Sequence, residues 1–282
     1  MNLCRYAPVL MIVMVFLLFM PALLRLSMTM ADEPVSAPPT VSSGSTDESV
    51  APEIRRQLTK IQKLETEKFE TQLREFPEIS ETSENAVDQY SVRGDLHMYL
   101  SHFQQAEHDY RAMVRLKPEL DASHWRLGIA LYFANHPQDA AAQFDRYHAF
   151  DNVDRENGIW RYLSHRKAFD LEKARKQLLK YEKDDRPPFR EVYRLFDGTL
   201  TPAEVLSAIP EKGSEADRES RLFYSHLYIG MNHSAEGRVD EAKASLREAT
   251  LNSWPRRAGY GPNYMWHVGR LELHRLAGSE SR

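Results

Sequence analysis

Cysteine is almost absent from this chain: the only one, Cys4, lies among the first few of its 282 residues. If these leading residues are removed, the remainder has no disulfide, no cysteine-ligated metal and no cysteine nucleophile. Excess positive charge is missing as well, because the formal net charge is −4. Since nucleic-acid-binding domains are normally basic, we do not expect a nucleic acid among the partners.

Recognisable catalytic motifs are also missing. The sequence has no glycine-rich phosphate loop, no Gly-x-Ser-x-Gly elbow and no His-Glu-x-x-His pair. Histidines are numerous but scattered, and His97, His165 and His233 share one position of a repeat that places them between helices. A metal site would need convergent ligands at short spacing. We therefore expect packing or surface roles for the histidines, and no metal, cofactor, catalytic residue or enzymatic activity.

The first 31 residues read as a targeting segment. Arg5 precedes a continuous apolar run over residues 8–24, and the small residues Thr29 and Ala31 fit a signal-peptidase site. The run is also close to the ~20 residues of a membrane span, so a retained membrane anchor is the alternative to a cleaved signal peptide. Both interpretations place the rest of the chain outside the cytoplasm, in the periplasm or cell envelope, either soluble or anchored to the inner membrane.

Residues 32–52 are rich in proline, serine, threonine and acidic residues without periodicity, which is typical of a disordered linker. Residues 53–83 are predicted as an amphipathic N-terminal helix. Its narrow apolar stripe consists of Ile54, Leu58, Ile61, Leu64, Phe69, Leu73 and Phe76. Because its other faces are polar, this helix needs a partner. It either caps the rest of the chain or pairs with the same helix of a second copy in a homodimer.

Two short amphipathic helices joined by a turn are predicted over residues 121–150. Trp125, Ile129 and Tyr132 lie on one face of the first helix, and Pro137 begins the second, since proline fits a helix start but not an interior. Such a pair cannot bury its apolar faces alone. It needs copies of itself stacked alongside.

Those copies are present in fixed register. The second-helix alanine recurs every 34 residues, at Ala106, Ala140, Ala174, Ala208 and Ala242. A glycine precedes it in three units, at Gly94, Gly128 and Gly230, and a large residue follows it in four, at Tyr110, Phe144, Leu178 and Leu246. This pattern resembles the tetratricopeptide repeat (TPR) family. We therefore predict an all-α, TPR-like helical solenoid of stacked helix-turn-helix repeats with N- and C-terminal capping helices.

The solenoid is predicted to span residues 84–276. Its repeats are expected at about 87–120, 121–154, 155–188, a degenerate 189–222 and 223–256, with a closing helix at 263–276. The degenerate unit is predicted to contain a helix over residues 189–196. A second short helix follows, capped by Thr201, with Pro202 in its first turn and Glu204 three residues after the cap.

The order of these parts is similar to that of the NlpI family of bacterial envelope proteins. Residues 127–151, 189–209 and 223–252 carry the resemblance, which covers residues 84–276. It implies a dimeric, non-enzymatic adaptor that brings a periplasmic protease together with peptidoglycan hydrolases. Members of that family are lipoproteins. This chain differs because Cys4 precedes the apolar run and cannot be a lipobox cysteine.

A protein-binding groove is predicted on the inner face of the first helices. By register it contains Met98, Tyr99, Trp125, Ile129, Tyr132, Phe133, Ile159, Leu163, Arg166, Lys167, Tyr224, Leu227 and Met231. Aromatic side chains and methionines with a few cations suit an extended peptide or a partner helix. The alternative is that neighbouring helices or the capping helix cover several of them.

These observations favour a non-enzymatic adaptor of the bacterial cell envelope that presents or regulates a partner, such as a periplasmic protease or peptidoglycan hydrolase. The alternative is a membrane-anchored TPR assembly factor for secretion or envelope machinery, if the apolar segment is retained.

Overall fold

The computed structural model describes residues 50–183 and 185–278, and within them the chain is helical throughout, without β-strands. The helices are α1 (Val50–Arg74), α2 (Ala86–Tyr99), α3 (Phe103–Leu116), α4 (Trp125–Phe133), α5 (Pro137–Phe150), α6 (Arg155–Ala168), α7 (Leu171–Lys176), α8 (Phe189–Phe196), α9 (Pro202–Ser207), α10 (Glu215–Ala235), α11 (Val239–Leu251) and α12 (Tyr260–Gly278). A 3₁₀-helix, Pro118–Ser123, separates α3 from α4. The predicted all-α class is confirmed. The predicted segment 1–31 and nearly all of the linker lie outside the described residues.

Consecutive helices pack as pairs, and the pairs stack on one another. The pairs are α2–α3, α4–α5, α6–α7, α8–α9 and α10–α11, and neighbouring pairs meet where α3 packs on α4, α5 on α6 and α6 on α8. One apolar core runs from Phe69 in α1 to Leu276 in α12. This is the stacked arrangement that the periodicity predicts, because each pair buries its apolar face against the next.

Three glycines permit close contacts between the helices of a pair. A Cβ added to Gly94, Gly128 or Gly230 would lie 2.6 Å from the side chain of Tyr110, Phe144 or Leu246 respectively, which is too close for any side chain. These are the paired positions of the sequence register. The repeat therefore combines a small residue in the first helix with a large one in the second.

The third pair departs from this arrangement. Tyr162 stands at the glycine position, and α7 ends at Lys176, before Leu178, the large residue that the pattern places in the second helix. Beyond the end of α7, Tyr193 donates its hydroxyl hydrogen bond to the carbonyl of Leu179 at 2.7 Å. Tyr181 likewise donates to the carbonyl of Asp154 at 3.0 Å. Hydrogen bonds of two tyrosine side chains thus fix the segment that follows α7.

Other boundaries also differ from the prediction. The first helix of the second repeat begins at Trp125 rather than residue 121, after the 3₁₀-helix. The fifth repeat was predicted to begin at residue 223, whereas its first helix, α10, begins at Glu215, where Ser214 caps it by accepting a hydrogen bond from the Asp217 amide at 3.1 Å. The closing helix is longer than predicted, whereas the bounds of α8 and the Thr201–Glu204 capping box of α9 are confirmed.

The N-terminal helix caps the array. It begins at Val50 and ends at Arg74, so the prediction of a helical region up to residue 83 is wrong. Phe69 is buried, with its ring 5.0 Å from Tyr99 and 5.1 Å from His267. These contacts show the capping arrangement, while pairing of two copies stays a prediction. Among the described helices, none combines the length and the hydropathy that a membrane span requires.

The closing helix α12 lies across the first helices of the repeats. Its Tyr264 ring is 5.6 Å from Tyr99 and 4.9 Å from Trp125. Gly269 lies against Leu227, and Trp266 donates from Nε1 to the carbonyl of Thr250 at 2.9 Å. As a result, α12 occupies much of the face on which the binding groove was predicted.

Candidate functional site

Most of the predicted groove residues are core residues. Nine of them are buried: Met98, Tyr99, Ile129, Tyr132, Ile159, Leu163, Tyr224, Leu227 and Met231. Trp125, Phe133 and Arg166 are half-buried, and Lys167 is exposed. The expectation of one open groove is therefore replaced by two cavities, because α12 packs between them.

The first cavity borders the start of α12 and the second borders its end. Trp125, Ile129 and Tyr224 line the first. Five of the predicted residues line the second, namely Tyr132, Phe133, Leu163, Arg166 and Lys167. Met98, Tyr99, Ile159, Leu227 and Met231 line neither of the two. The predicted residues thus lie mainly on buried faces of their helices, and α12 decides which of them border a cavity.

We call the first cavity the aromatic pocket. It has a volume of about 420 Å³ and lies between α4, α5, α6, α10 and the start of α12. Its lining consists of Trp125, Ile129, Phe144, Tyr147, Asp154, Glu156, Asn157, Trp160, Arg186, Pro187, Ser220, Tyr224, Trp254, Gly261, Pro262 and Met265. This volume falls within the range of small-ligand sites, where apolar walls and a few polar groups fix orientation.

Local capping places the acidic groups of this pocket. Asp154 caps α6 by accepting a hydrogen bond from the Glu156 amide at 3.0 Å, which holds Glu156 in the first turn. Arg186 comes from the segment before α8, and its guanidinium lies 4.4 Å from the Phe189 ring centre. Asp185 lies beside it and accepts from the Arg155 amide at 3.1 Å.

A charged network forms one wall of the pocket. Arg186 makes an ion pair with Glu156 and lies 3.7 Å from Asp154. Tyr228 donates to the other oxygen of Glu156, and Trp160 donates from Nε1 to the Tyr228 hydroxyl at 3.1 Å. The Arg186 side chain is 47% exposed, whereas that of Glu156 is 13% exposed. The pocket therefore presents an accessible cation at its rim above a buried carboxyl group.

Burial raises the pKa of the Glu156 carboxyl to about 7, against the opposing effects of Arg186 and Tyr228. The nearby carboxyl groups of Asp154 and Asp185 add to the increase. The pKa of Asp154 is also raised, again mainly by burial. Glu156 consequently changes between a hydrogen-bond donor and an anion close to neutral pH.

We expect Glu156→Gln to change the pH dependence of stability. In the folded protein Glu156 holds its proton up to about pH 7, whereas the unfolded chain loses it near 4.5. Ionisation of the unfolded chain then favours unfolding as pH rises through this interval. As pH rises from 4.5 to 7, the free energy of unfolding of the variant minus that of the wild type should therefore increase, by about 3 kcal/mol at most. Denaturant titrations at a series of pH values measure this difference.

Glu204→Gln is the control with the opposite sign. Hydrogen bonds from the Thr201 amide and hydroxyl lower the pKa of Glu204, so its contribution is present above the ordinary pKa and is lost on acidification. The corresponding difference should decrease with rising pH, over an interval below that of Glu156. A flat profile for Glu156→Gln between pH 4.5 and 7 would show that its carboxyl ionises normally.

The second cavity is smaller and more polar. It has a volume of about 360 Å³, and its residues include Phe169, Glu272 and Arg275 besides the five predicted ones. Lys167 donates to the carbonyl of Tyr132 at 2.8 Å, and its ammonium nitrogen lies 4.7 Å from the Tyr132 ring centre. Burial lowers the pKa of Lys167. This lysine therefore contacts Tyr132 through both its backbone carbonyl and its ring.

Sequence reasoning missed the polar part of the aromatic pocket. Glu156 and Arg186 are separated by a whole helical pair, and their ion pair depends on the segment after α7 folding back. Trp254 follows α11 outside the first helices that were searched for groove residues. The sequence signal for this charged network was the presence of the acidic residues Asp154, Glu156 and Asp185. Acidic residues at such positions also occur in ordinary helix caps.

Among residues 50–183 and 185–278, no cluster of histidine, cysteine, aspartate or glutamate is arranged to hold a metal ion. No protein-family model matches this chain, and no curated protein matches it either. The resemblance to the TPR and NlpI families stays a prediction. The fold and site define an all-α protein of stacked helix pairs with an aromatic pocket next to its closing helix.

Proposed function

We propose that this protein is a non-enzymatic adaptor of the bacterial cell envelope, exported by its N-terminal segment, that binds a protein partner through the aromatic pocket. The observation that carries the proposal is the composition of that pocket. Half-buried Trp125, Tyr147 and Trp254 surround the cavity, and Arg186 lies at its rim. Tryptophan, tyrosine and arginine are the residues that contribute most to protein–protein binding.

The geometry favours a side chain or helix end as the part of the partner that is bound. An extended peptide along the whole inner face has no continuous channel, because α12 packs against Tyr99, Trp125 and Leu227. An anchoring side chain fits a cavity of about 420 Å³, and its polar end can reach Arg186 or Glu156. We infer that a periplasmic protease or a peptidoglycan hydrolase is bound in this way.

Filling the pocket tests this proposal. Ser220 is half-buried on α10 and lines the pocket, so Ser220→Trp should occupy the space that the partner needs. The full chain is used to capture proteins from envelope extract of its host, and these are quantified by mass spectrometry. We expect a protease or wall hydrolase to be recovered by the wild type and reduced at least tenfold with Ser220→Trp.

The matched control is Ser207→Trp, which places the same side chain on the exposed end of α9, away from the pocket. It should capture the partner as the wild type does, and circular dichroism should show that both variants are folded. Equal recovery of the partner by both variants would show that the partner does not bind in the aromatic pocket. Recovery of secretion or assembly components alone would contradict the adaptor function itself.

A further inference from the structure

A further cavity, distinct from the two described above, lies where the N-terminal helix α1 meets the end of the array. It has a volume of about 680 Å³ and is lined only by residues of α1, α11 and α12. We call it the basic pocket, because its charged residues have one sign. They are Arg55, Lys63, Lys243, Arg247 and Arg270, joined by His274. No aspartate or glutamate occurs among the described residues that line it, although the whole chain has a net charge of −4.

Arg270 is the buried member of this group. Its side chain is 2% exposed, and it donates to the Gln62 side chain, to the carbonyl of Tyr99 at 2.8 Å and to Nδ1 of His267 at 3.4 Å. All three acceptors are neutral, because burial holds the pKa of His267 well below its usual value. The bonds leave part of the donor capacity of the guanidinium unused.

Arg270 also has no carboxylate at ion-pair distance among the described residues. Glu65 is close enough to influence it, but makes its own ion pair with Lys68 at 3.4 Å. Burial lowers the pKa of Arg270 to about 10, so the group still carries its charge at neutral pH. A buried charge without a counter-ion is costly, and an anion in the pocket would offset that cost.

The remaining lining determines what kind of anion fits. Leu58, Leu273 and Ala277 contribute apolar surface to the lining of the pocket. The methylene stems of lysine and arginine side chains add apolar area to such a lining. A ligand with an anionic head and an apolar body therefore matches both kinds of lining residue, and the volume is adequate for a small ligand.

We propose that the basic pocket binds an amphiphile with a net negative, phosphate-bearing head, with the phosphate between Arg55, Arg247 and Arg270 and the apolar body against Leu58 and Leu273. Several arginines around one cavity offer forked donors that match phosphate oxygens and neutralise more than one negative charge. The same chemistry occurs in an anionic phospholipid and in a free phosphate ester, and titrations with different probes separate these sources.

Calorimetric titration of the full chain in a neutral detergent tests the proposal. The probes are dihexanoyl phosphatidylglycerol, dihexanoyl phosphatidylcholine, inorganic phosphate and a hexaglutamate peptide. We expect the phosphatidylglycerol to bind at one site and the zwitterionic phosphatidylcholine to bind at least tenfold more weakly. Binding of inorganic phosphate with equal affinity would instead assign the pocket to free phosphate groups and leave its anion specificity in place.

The variant pair locates the binding. Arg55→Ala/Arg247→Ala removes two cations of the pocket while leaving the buried Arg270 unchanged, and it should weaken phosphatidylglycerol binding at least tenfold. Arg74→Ala/Arg218→Ala removes the same two charges from exposed positions on α1 and α10, outside the pocket, and should leave binding unchanged. Both double variants keep residues 8–24 and are titrated in the same detergent, so neither factor can explain a difference between them.

Three results would overturn the proposal. They are equal weakening by both double variants, equal binding of the two lipids, and binding of hexaglutamate without binding of either phosphate probe. The first would indicate a general charge effect, the second a site that does not depend on the net negative charge of the headgroup, and the third a docking site for an acidic protein segment. None of these results bears on the aromatic pocket, because the two cavities share no lining residue.

Discussion

Replacing Trp266 by alanine should lower the free energy of unfolding by about 3–5 kcal/mol, the usual range for removal of a large buried aromatic side chain. Trp266 is 1% exposed and lies in the middle of α12. Its indole donates to the Thr250 carbonyl at 2.9 Å, and the Arg256 guanidinium lies 5.2 Å from its ring centre. The variant therefore loses apolar contacts, a buried hydrogen bond and a cation–π contact together.

Phe150→Ala is the control for this prediction. Phe150 is also aromatic, but it is 61% exposed at the end of α5, so its removal should change stability by about 0.5 kcal/mol or less. Chemical denaturation of both variants, monitored by circular dichroism, gives the two values. If Trp266→Ala were as mild as the control, α12 would not be an integral part of the array.

The second large effect is expected at Asp95, which joins four helices. Its Oδ1 accepts from Arg126 Nη1 and from the Tyr110 hydroxyl, both at 2.7 Å, and its Oδ2 accepts from the Tyr260 hydroxyl at 2.6 Å. The side chains of Asp95 and Arg126 are 13% and 14% exposed. Asp95→Ala should destabilise the protein by about 3–5 kcal/mol, because it leaves a largely buried arginine without its counter-ion.

A double-mutant cycle separates this effect from loss of packing. With Arg126→Met present, the cost of Asp95→Ala should be smaller by about 1–3 kcal/mol, since no unpaired charge remains. The exposed ion pair of Asp217 with Arg221 is the comparison, and Asp217→Ala should cost about 1 kcal/mol or less. Additive effects of the Asp95 and Arg126 substitutions would contradict the proposed ion pair.

Local signals in the sequence were sufficient for much of the fold. Four of the five repeat alanines, at positions 106, 140, 174 and 242, are fully buried, and the glycines facing Tyr110, Phe144 and Leu246 allow two helices to pack closely. The fifth alanine was mispredicted, because Ala208 is exposed just after the end of α9. The glycine contacts can be recognised without a structure because the two residues of each contact have the same spacing along the sequence in each of these repeats. The capping box of α9 was equally predictable, since Thr201 and Glu204 satisfy each other's backbone amides within one helical turn.

The boundaries that were mispredicted depend on contacts between distant residues. The apolar spacing of residues 171–181 is helical, yet α7 ends at Lys176, and the segment beyond it is bound by Tyr193, which donates to the carbonyl of Leu179. No local rule anticipates a hydrogen bond across the intervening proline-rich segment. The Asp95 network escaped notice for the same reason, because Tyr260 follows Asp95 by more than four repeat lengths.

The sequence by itself determined the helical class, the period and the face of each first helix that turns inward, because these follow from spacing along one chain segment. Only the tertiary structure decided whether that face is open. Placing α12 against Tyr99, Trp125 and Leu227 buries most of the predicted groove and leaves the aromatic pocket beside its first turns. The packing of α1 against the far end likewise creates the basic pocket. Both pockets depend on which surfaces α1 and α12 cover. The positions of these two helices are set by contacts between residues that lie far apart in the sequence.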